Sequence, residues 1–282
     1  MEYKILNNGV KMPMLGIGTY LLTPDEAENS VCIALKNGYR LIDTANAYVN
    51  ERAVGRGIKK SGVDRKEIFL ETKLWPSFYE DDDAVDKTLE RLGTDYIDLM
   101  ILHQPAGNYI EGYRKLEKAY KEGKLRAIGI SNFSEEEIKE IMAKCEVKPT
   151  LIQVEAHPYY PRTSLNKFLI ENDIALQSWY PLGGKGNTTM INEDVFSKLA
   201  KKYNKTNAQI ILRWHIQMGY IVIPGSRSEN HIKENIDIMN FALTEDEMKE
   251  ISKLEKNEPF YIRKDEDLKR FAAWVPDVEG QK

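Results

Sequence analysis

Several things are scarce in this chain, and each scarcity removes a class of function. Its 282 residues include only two cysteines, Cys32 and Cys145. They sit in separate helical patterns with neither CxxC nor metal-ligand spacing. A disulfide scaffold is excluded, and a reduced, cytoplasmic protein is expected. The four histidines show no metal-binding spacing either, so no metal site is expected. No apolar run approaches the ~20 residues that span a bilayer. The first ten residues lack the charged-then-apolar layout of a signal peptide, and no membrane partner is expected. Positive charge is not in excess: 40 Lys and Arg face 44 Asp and Glu, a net charge of -4. Nothing therefore points to nucleic acid. There is no Walker-type phosphate loop. Gly16-Ile17-Gly18-Thr19-Tyr20-Leu21 lacks the third glycine of the dinucleotide turn that usually opens a doubly wound sheet.

What is present is an alternation of strand and helix. Hydrophobic residues make up 42% of the chain, enough for a large core. The length is close to the ~250 residues of a single α/β barrel, so one domain over 1–282 is expected. Segments 3–6 and 10–12 flank Asn7-Asn8-Gly9, a hairpin turn signal. Eight apolar runs then follow, at 14–17, 39–42, 68–72, 96–102, 125–130, 151–154, 174–178 and 220–223. Polar helical stretches separate them. Thr23-Pro24-Asp25-Glu26 carries a threonine cap, a proline at the first helical position and a glutamate to close a capping box. Ser77-x-x-Glu80, Ser134-x-x-Glu137 and Thr244-x-x-Glu247 are three further candidate boxes, and the acidic run 80–83 suits a helix N-terminus. Continuous apolar strands separated by helices indicate a parallel sheet buried on both faces. Eight such units favour a closed (β/α)₈ TIM barrel with an N-terminal β-hairpin; an open doubly wound sheet is the alternative.

In such a barrel the chemistry lies at the C-terminal ends of the strands. Strand two ends in Asp43-Thr44 with Tyr48 beyond, strand three in Lys73, strand four in His103. Strand five ends in Ser131-Asn132, strand six near Gln153, strand seven in Trp179-Tyr180, strand eight in Gly225-Ser226. Counting by two from His103 gives an apolar face of Ile101, Leu99 and Ile97. Lys73 shares its face with Glu71, a carboxylate deeper in the barrel that needs a partner and has none in the sequence pattern. A lysine, an aspartate, a tyrosine and a histidine thus converge on one mouth. A neighbouring ammonium lowers the phenol pKa from its usual ~10 and would tune Tyr48 toward neutral pH as a general acid. Asp43 would hold Lys73, and His103 would orient a substrate oxygen. No side chain supplies hydride, so carbonyl reduction needs a cofactor. Ser131, Asn132 and Gln153 can hydrogen-bond a carboxamide, and Trp179 offers a flat face to a nicotinamide ring.

At these residues the sequence closely resembles the aldo-keto reductase superfamily, with a bacterial-type likeness to diketogluconate and methylglyoxal reductases. The motifs are long: Gly38-Tyr39-Arg40-Leu41-Ile42-Asp43-Thr44-Ala45 leading to Tyr48 and Asn50-Glu51; Thr72-Lys73-Leu74-Trp75; Leu92-Gly93-Thr94-Asp95-Tyr96-Ile97-Asp98-Leu99 leading to His103; Gly129-Ile130-Ser131-Asn132-Phe133; Gln153-Val154-Glu155; and Pro181-Leu182-Gly183. The resemblance implies a catalytic tetrad of Asp43, Tyr48, Lys73 and His103. It implies that Gly18, Thr19 and Asp43 line the nicotinamide ribose side and that Leu182 and Gly183 contact the pyrophosphate. Glu234 and Asn235 would reach the adenine. One stretch departs from the family pattern: Gly225 and His231 stand where cations are usual, while Ser226 is kept and Arg227 and Lys233 lie nearby. Ser226, Arg227 and the following helix N-terminus still offer donors to a 2′-phosphate. NADP(H) is therefore expected ahead of NAD(H), in a monomer.

Tyr20, Trp75, His103 and Gln104 are expected to bind the carbonyl substrate. Residues 183–187 form a candidate flap over the pyrophosphate. His157 and His215 read as structural. The tail 256–282 carries Phe260, Tyr261, Phe271 and Trp274, too apolar for a free tail. The resemblance implies that it covers the substrate and that some of these aromatics line the pocket. A redox-sensing binding subunit and a cofactor-free isomerase or lyase remain as competing readings.

Overall fold

The structure is a computed structural model describing residues 1–184, 186 and 188–281. It opens with an antiparallel hairpin of β1 (Tyr3–Ile5) and β2 (Lys11–Pro13). The repeating units follow: β3 (Ile17–Gly18) with α1 (Pro24–Lys36), β4 (Leu41–Asp43) with α2 (Glu51–Ser61), β5 (Phe69–Leu74) with α3 (Ala84–Leu92), and β6 (Leu99–Leu102) with α4 (Tyr109–Lys121). Then come β7 (Ile128–Ser131) with α5 (Glu135–Lys144), β8 (Leu151–Glu155) with α6 (Thr163–Glu171), and β9 (Ala175–Trp179) with α7 (Asp194–Tyr203) and α8 (Asn207–Gln217). β10 (Ile221–Val222) and α9 (Glu229–Ile236) complete the ring, and α10 (Glu245–Ser252) and α11 (Asp265–Ala273) extend beyond it.

The eight strands β3 to β10 pair in sequence order, all parallel. The ring closes between its first and last strands. Gly16 N–H donates to Val222 O at 2.8 Å and Val222 N–H to Met14 O at 2.9 Å, with bridges Leu15–Val222 and Gly18–Gly225. This seam makes the sheet a barrel and removes the open-sheet alternative. It needs glycine at its upper end. A Cβ on Gly18 would lie 2.9 Å from Ile223 O, and one on Gly225 would lie 3.1 Å from Gly18 O.

Most ladders run further toward the mouth than the runs read from the sequence. Those of β4, β5, β7, β8 and β9 end at Asp43, Leu74, Ser131, Glu155 and Trp179, one or two residues past the end of each run, whereas β6 ends with its run and β10 one residue short of it. The ladder is a backbone property and carries polar residues into the barrel interior. Those residues therefore stand on rigid strands rather than loops.

The capping boxes at Thr23, Ser134 and Thr244 form, and Thr206 with Gln209 makes a fourth. The box expected at Ser77 does not. Pro76–Phe78 is a short 3₁₀ turn, and α3 begins only at Ala84 with Asp83 at its cap. Glu80, which would have closed that box, instead accepts from Asn108 Nδ2 at 2.9 Å.

His215 lies buried on α8, with Nε2 3.2 Å from Pro181 O. Burial drives its pKa from an ordinary 6.5 down to about 3, against the pull of the Pro181 carbonyl. The ring is neutral in the fold but protonates on unfolding below pH 6.5. The unfolded chain then binds the extra proton, so stability must fall as pH drops from 6.5 toward 3. His215→Gln, which can still donate to Pro181 O, should flatten that part of the wild-type slope in denaturant titrations. Parallel slopes for the two proteins would show that His215 does not contribute.

Candidate active site

The mouth is organised around Lys73. Its side chain is fully buried on β5, and its ammonium has three partners: Asp43 Oδ1 at 2.5 Å, Thr44 O at 2.9 Å and the Tyr48 hydroxyl at 3.3 Å. Tyr48 reaches this point because the chain turns sharply after β4. A 3₁₀ turn, Asn46–Tyr48, ends where Val49 enters the left-handed region at φ 56°. Two asparagines hold the turn. Asn46 Oδ1 accepts from Trp75 N–H at 3.0 Å. Asn50 donates to Thr19 O and Leu22 O and accepts from the Thr44 hydroxyl.

The electrostatics correct one expectation from the sequence. Burial pushes the Tyr48 phenol well above its ordinary value; Lys73 pulls it down, but less strongly. Tyr48 is therefore a neutral phenol at the cavity floor, not one tuned to neutrality. Burial also works against the Lys73 ammonium, yet Asp43 and then Tyr48 hold its pKa above the usual lysine value. Burial, with Lys73 adding to it, keeps His103 well below the ordinary histidine pKa, so its imidazole is neutral. The His103 ring stands edge-on to Tyr48 (centroids 5.7 Å apart) and to Trp75 (5.0 Å).

A cavity of about 650 Å³ opens above these groups. Its floor includes Asp43, Tyr48 and His103, and its outer wall Tyr20, Trp75 and Gln104. One arm runs past Ser131, Asn132, Gln153 and Trp179, and continues along Leu182 and Gly183 to Ser226 and Arg227, with Gly18 beside it. Lys73 lies beneath the cavity. Thr19 is buried, its hydroxyl donating to Asp43 O at 3.1 Å. Glu234 and Asn235 lie on α9, outside the lining; Glu234 accepts from the Thr206 hydroxyl at 2.7 Å. Within the candidate flap, Gly183 and Gly184 line the cavity, and Lys185 and Asn187 lie outside the described residues.

The arm has the polarity a carboxamide requires. Gln153 spends both Nε2 hydrogens, on Asp43 Oδ1 at 2.9 Å and Gln177 Oε1 at 2.7 Å. Its Oε1 is left as an acceptor for an amide NH₂. The Ser131 hydroxyl is buried with no partner among the described residues, a free donor. Asn132, at φ 67°, accepts from Trp179 Nε1 at 2.9 Å and donates to His103 O at 3.3 Å. It fixes the indole that would stack on a nicotinamide. These unpaired groups, and the glycine-lined approach at Gly18 and Gly225, fit a nicotinamide dinucleotide.

The tail forms a strap across the mouth. Glu155 accepts from the backbone N–H groups of Phe260 and Tyr261, and Arg263 donates to Asn132 O at 2.7 Å and pairs with Glu137. Trp75 Nε1 donates to both Phe271 O and Trp274 O. Tyr261, Phe271 and Trp274 line the cavity, whereas Phe260 packs on His157. The end of the chain is tied by Glu279 to Arg52 and Arg91, and Arg91 also pairs with buried Glu51. Tyr180, expected only as a strand end, lines the cavity, while sequence reasoning missed Gln177 and Arg270. Gln177 alternates in step with Trp179 on β9, a pattern that could have revealed it. Arg270 sits among the tail aromatics, in a segment without a motif.

The chain matches the Aldo/keto reductase family over residues 14–256. It belongs to that family. It is 43% identical over 258 residues to the glyoxal reductase of Bacillus subtilis, covering 90% of this chain and 92% of that one. It is 40% identical over 261 residues to the 9,11-endoperoxide prostaglandin H2 reductase of Trypanosoma cruzi, covering 89% and 91%. Among solved structures, an aldo-keto reductase from a Medee basin deep-sea metagenome library superposes with a TM-score of 0.90 at 38% identity, covering 93% of this chain and 98% of that one. In this aldo-keto reductase, then, the strap and the tetrad meet at Trp75.

Trp75→Phe keeps an aromatic ring but removes the donor to Phe271 O and Trp274 O. Each lost hydrogen bond is worth ~1 kcal/mol, so amide exchange around 271–276 should quicken by about thirtyfold while the barrel strands are unchanged. Unchanged exchange in the tail would show that the indole N–H does not hold the strap.

Proposed function

We propose that this aldo-keto reductase reduces small aldehydes and ketones to alcohols with a nicotinamide cofactor, NADPH ahead of NADH, and runs the reverse oxidation. One observation carries the reading: a neutral tyrosine hydroxyl at the cavity floor rests on a buried ammonium that is itself held by a carboxylate. When bound, the nicotinamide would supply hydride to the carbonyl carbon. Tyr48 donates its proton to the carbonyl oxygen. Lys73 then lies against the new phenolate, and Asp43 keeps Lys73 charged and in place. Neutral His103 orients the substrate oxygen without competing as an acid. In oxidation Tyr48 takes the proton back.

Ser131, Asn132 and Gln153 hold the carboxamide, and Trp179 stacks on the ring. Gly18, Thr19 and Asp43 flank the ribose, Leu182 and Gly183 take the pyrophosphate, and Glu234 and Asn235 reach the adenine. Ser226 and Arg227 bind the 2′-phosphate, with the N-terminus of α9 nearby. Tyr20, Trp75, His103 and Gln104 form the substrate wall, joined by Arg270, whose guanidinium pairs with Asp267 at 2.7 Å. Aromatic and polar walls together suit dicarbonyls, sugar-derived ketones and aromatic aldehydes. The protein acts as a cytoplasmic monomer of one domain.

Tyr48→Phe should lower kcat for a small aldehyde by at least about 100-fold, the usual worth of a positioned general acid. NADPH should still quench Trp179 fluorescence with a similar Kd. Retained turnover would remove Tyr48 from its role, and lost cofactor binding would show that the variant damages the site. Arg227→Ala should reduce kcat/KM with NADPH about tenfold, as for a lost charge-assisted hydrogen bond, and leave NADH unaffected. Equal use of the two cofactors, unchanged by the mutation, would sink the NADPH assignment.

A further inference from the structure

Glu71 is a charge-bearing residue that the reaction as described does not use. It is fully buried on β5, two positions before Lys73 and on the same face. Its cross-strand partner on β4 is Asp43, so the two carboxyls stand side by side inside the barrel. Its partner on β6 is Leu99, which is apolar. Glu71 Oε1 accepts from Gln177 Nε2 at 2.5 Å, Gln177 Oε1 accepts from Gln153 Nε2 at 2.7 Å, and Gln153 Nε2 reaches Asp43 Oδ1 at 2.9 Å. Glu71 Oε2 has no donor among the described residues.

That orphan oxygen decides the matter. Two ionised carboxylates side by side can only repel, and each is an acceptor with nothing to donate. Among the described residues, Lys73 is the buried cation facing Glu71, and its three hydrogens go to Asp43, Thr44 O and Tyr48. From β8 and β9 the uncharged Gln153 and Gln177 approach. With both carboxyls ionised, the pocket would carry one uncompensated buried negative charge, which a protein avoids by taking up a proton. A proton on Glu71 Oε2 cancels that charge and turns the orphan into a donor aimed at Asp43.

We propose that Glu71 is a neutral carboxylic acid at physiological pH, donates a hydrogen bond to Asp43, and thereby sets how strongly Lys73 acts on Tyr48. It is a positioning residue, acting through Asp43 and Lys73 without touching substrate. By sharing the Asp43 charge it leaves more of the Lys73 field for the Tyr48 phenolate. Burial, then the Asp43 carboxylate, raises the Glu71 pKa well above the usual carboxyl range, with Lys73 and Gln177 opposing, which agrees with this state. The kinetic consequence rests on the reading of Tyr48 as the acid; the protonation state does not.

The test uses Glu71→Gln, which mimics the neutral acid, and Glu71→Met, which fills the space but donates nothing. The infrared difference spectrum of wild type minus E71Q at neutral pH should show loss of a protonated carboxyl C=O band. Loss of ionised carboxylate bands instead would overturn the proposal, whatever Tyr48 does. For kinetics, E71Q should stay within about threefold of wild type, with the same apparent pKa in the oxidation direction. E71M should lose about tenfold in kcat at unchanged KM, with that pKa moved up, because Asp43 then holds its full charge against Lys73. A shifted pKa in E71Q would mean that the mutation removes a real charge, and Glu71 would then be an ionised residue. If E71Q does not fold, the band can be sought in wild type by following its loss at alkaline pH; absence of any such band at neutral pH would refute the neutral acid.

Discussion

A lysine ammonium with no solvent contact is the constraint around which this barrel is arranged. Leaving a buried charge without its partner costs ~3–5 kcal/mol, so Lys73 obliges the fold to bring Asp43 to it. That obligation has consequences along the strand ends. Asp43 Oδ1 is shared between Lys73 and Gln153, so the Gln153 amide must present its N–H groups inward and its oxygen outward. The polarity of the carboxamide pocket therefore follows from the ion pair beneath it. The same ammonium fixes the Tyr48 hydroxyl and contributes to keeping the His103 imidazole neutral. The ammonium, the phenol and the His103 imidazole form one electrostatic unit rather than separate contributions.

A rigid floor needs a cover, and here the cover is attached through side chains that also face the chemistry. Trp75 follows β5 directly, touches His103, and carries two carbonyls of the strap on its indole N–H. Asn132 follows β7, orients Trp179, and accepts Arg263 from the tail on its backbone oxygen. Glu155 ends β8 and holds the start of the strap. The strap is thus tied to the ends of β5, β7 and β8, close to the cavity. Further out, Glu51 links Thr72 on β5, Arg91 on α3 and, through Arg91, the tail carboxylate of Glu279. The tail is thus held both at the mouth and against the outer helices.

Much of this was legible in the sequence because local chemistry and global topology agree. The repeat of apolar runs with capped helices announces the barrel, and the polar residue after each run announces the mouth. Tyr48, Lys73, Asp43 and His103 could be grouped without seeing them because strand polarity puts their positions at one end. What was not legible required distances. Periodicity shows that Glu71 faces inward but not that Gln177, 106 residues later, reaches it. Motif matching treats Ser77-x-x-Glu80 as a helix start and cannot know that Asn108 takes the glutamate. Proximity of Lys73 suggested an acidified phenol, but only the depth of the site shows that burial outweighs the lysine. The tail matches no motif, so its aromatics could be assigned to the pocket only as a group, and Phe260 proves to pack elsewhere.

The two ends of the cavity are built on opposite principles, and this bears on how selectivity and rate would be divided. At the reacting end the Lys73–Asp43 pair is buried, held at short range and insulated from salt. At the far end Arg227 is two-thirds exposed and pairs with Glu26 at 3.1 Å, and Lys233 is half-exposed on Glu229. Exposed pairs of this kind are worth ~1 kcal/mol or less and weaken with ionic strength. A 2′-phosphate would have to draw Arg227 away from Glu26, so part of its attraction is offset before binding begins. Gly225, pressed against the closing seam, adds backbone but no cation. Discrimination between the two nicotinamide cofactors should therefore be modest and salt-sensitive, whereas the proposed proton transfer at Tyr48 would depend on Lys73 and Asp43, which solvent does not reach. Such a division lets the outer residues change without disturbing the ion pair on which the barrel's interior depends.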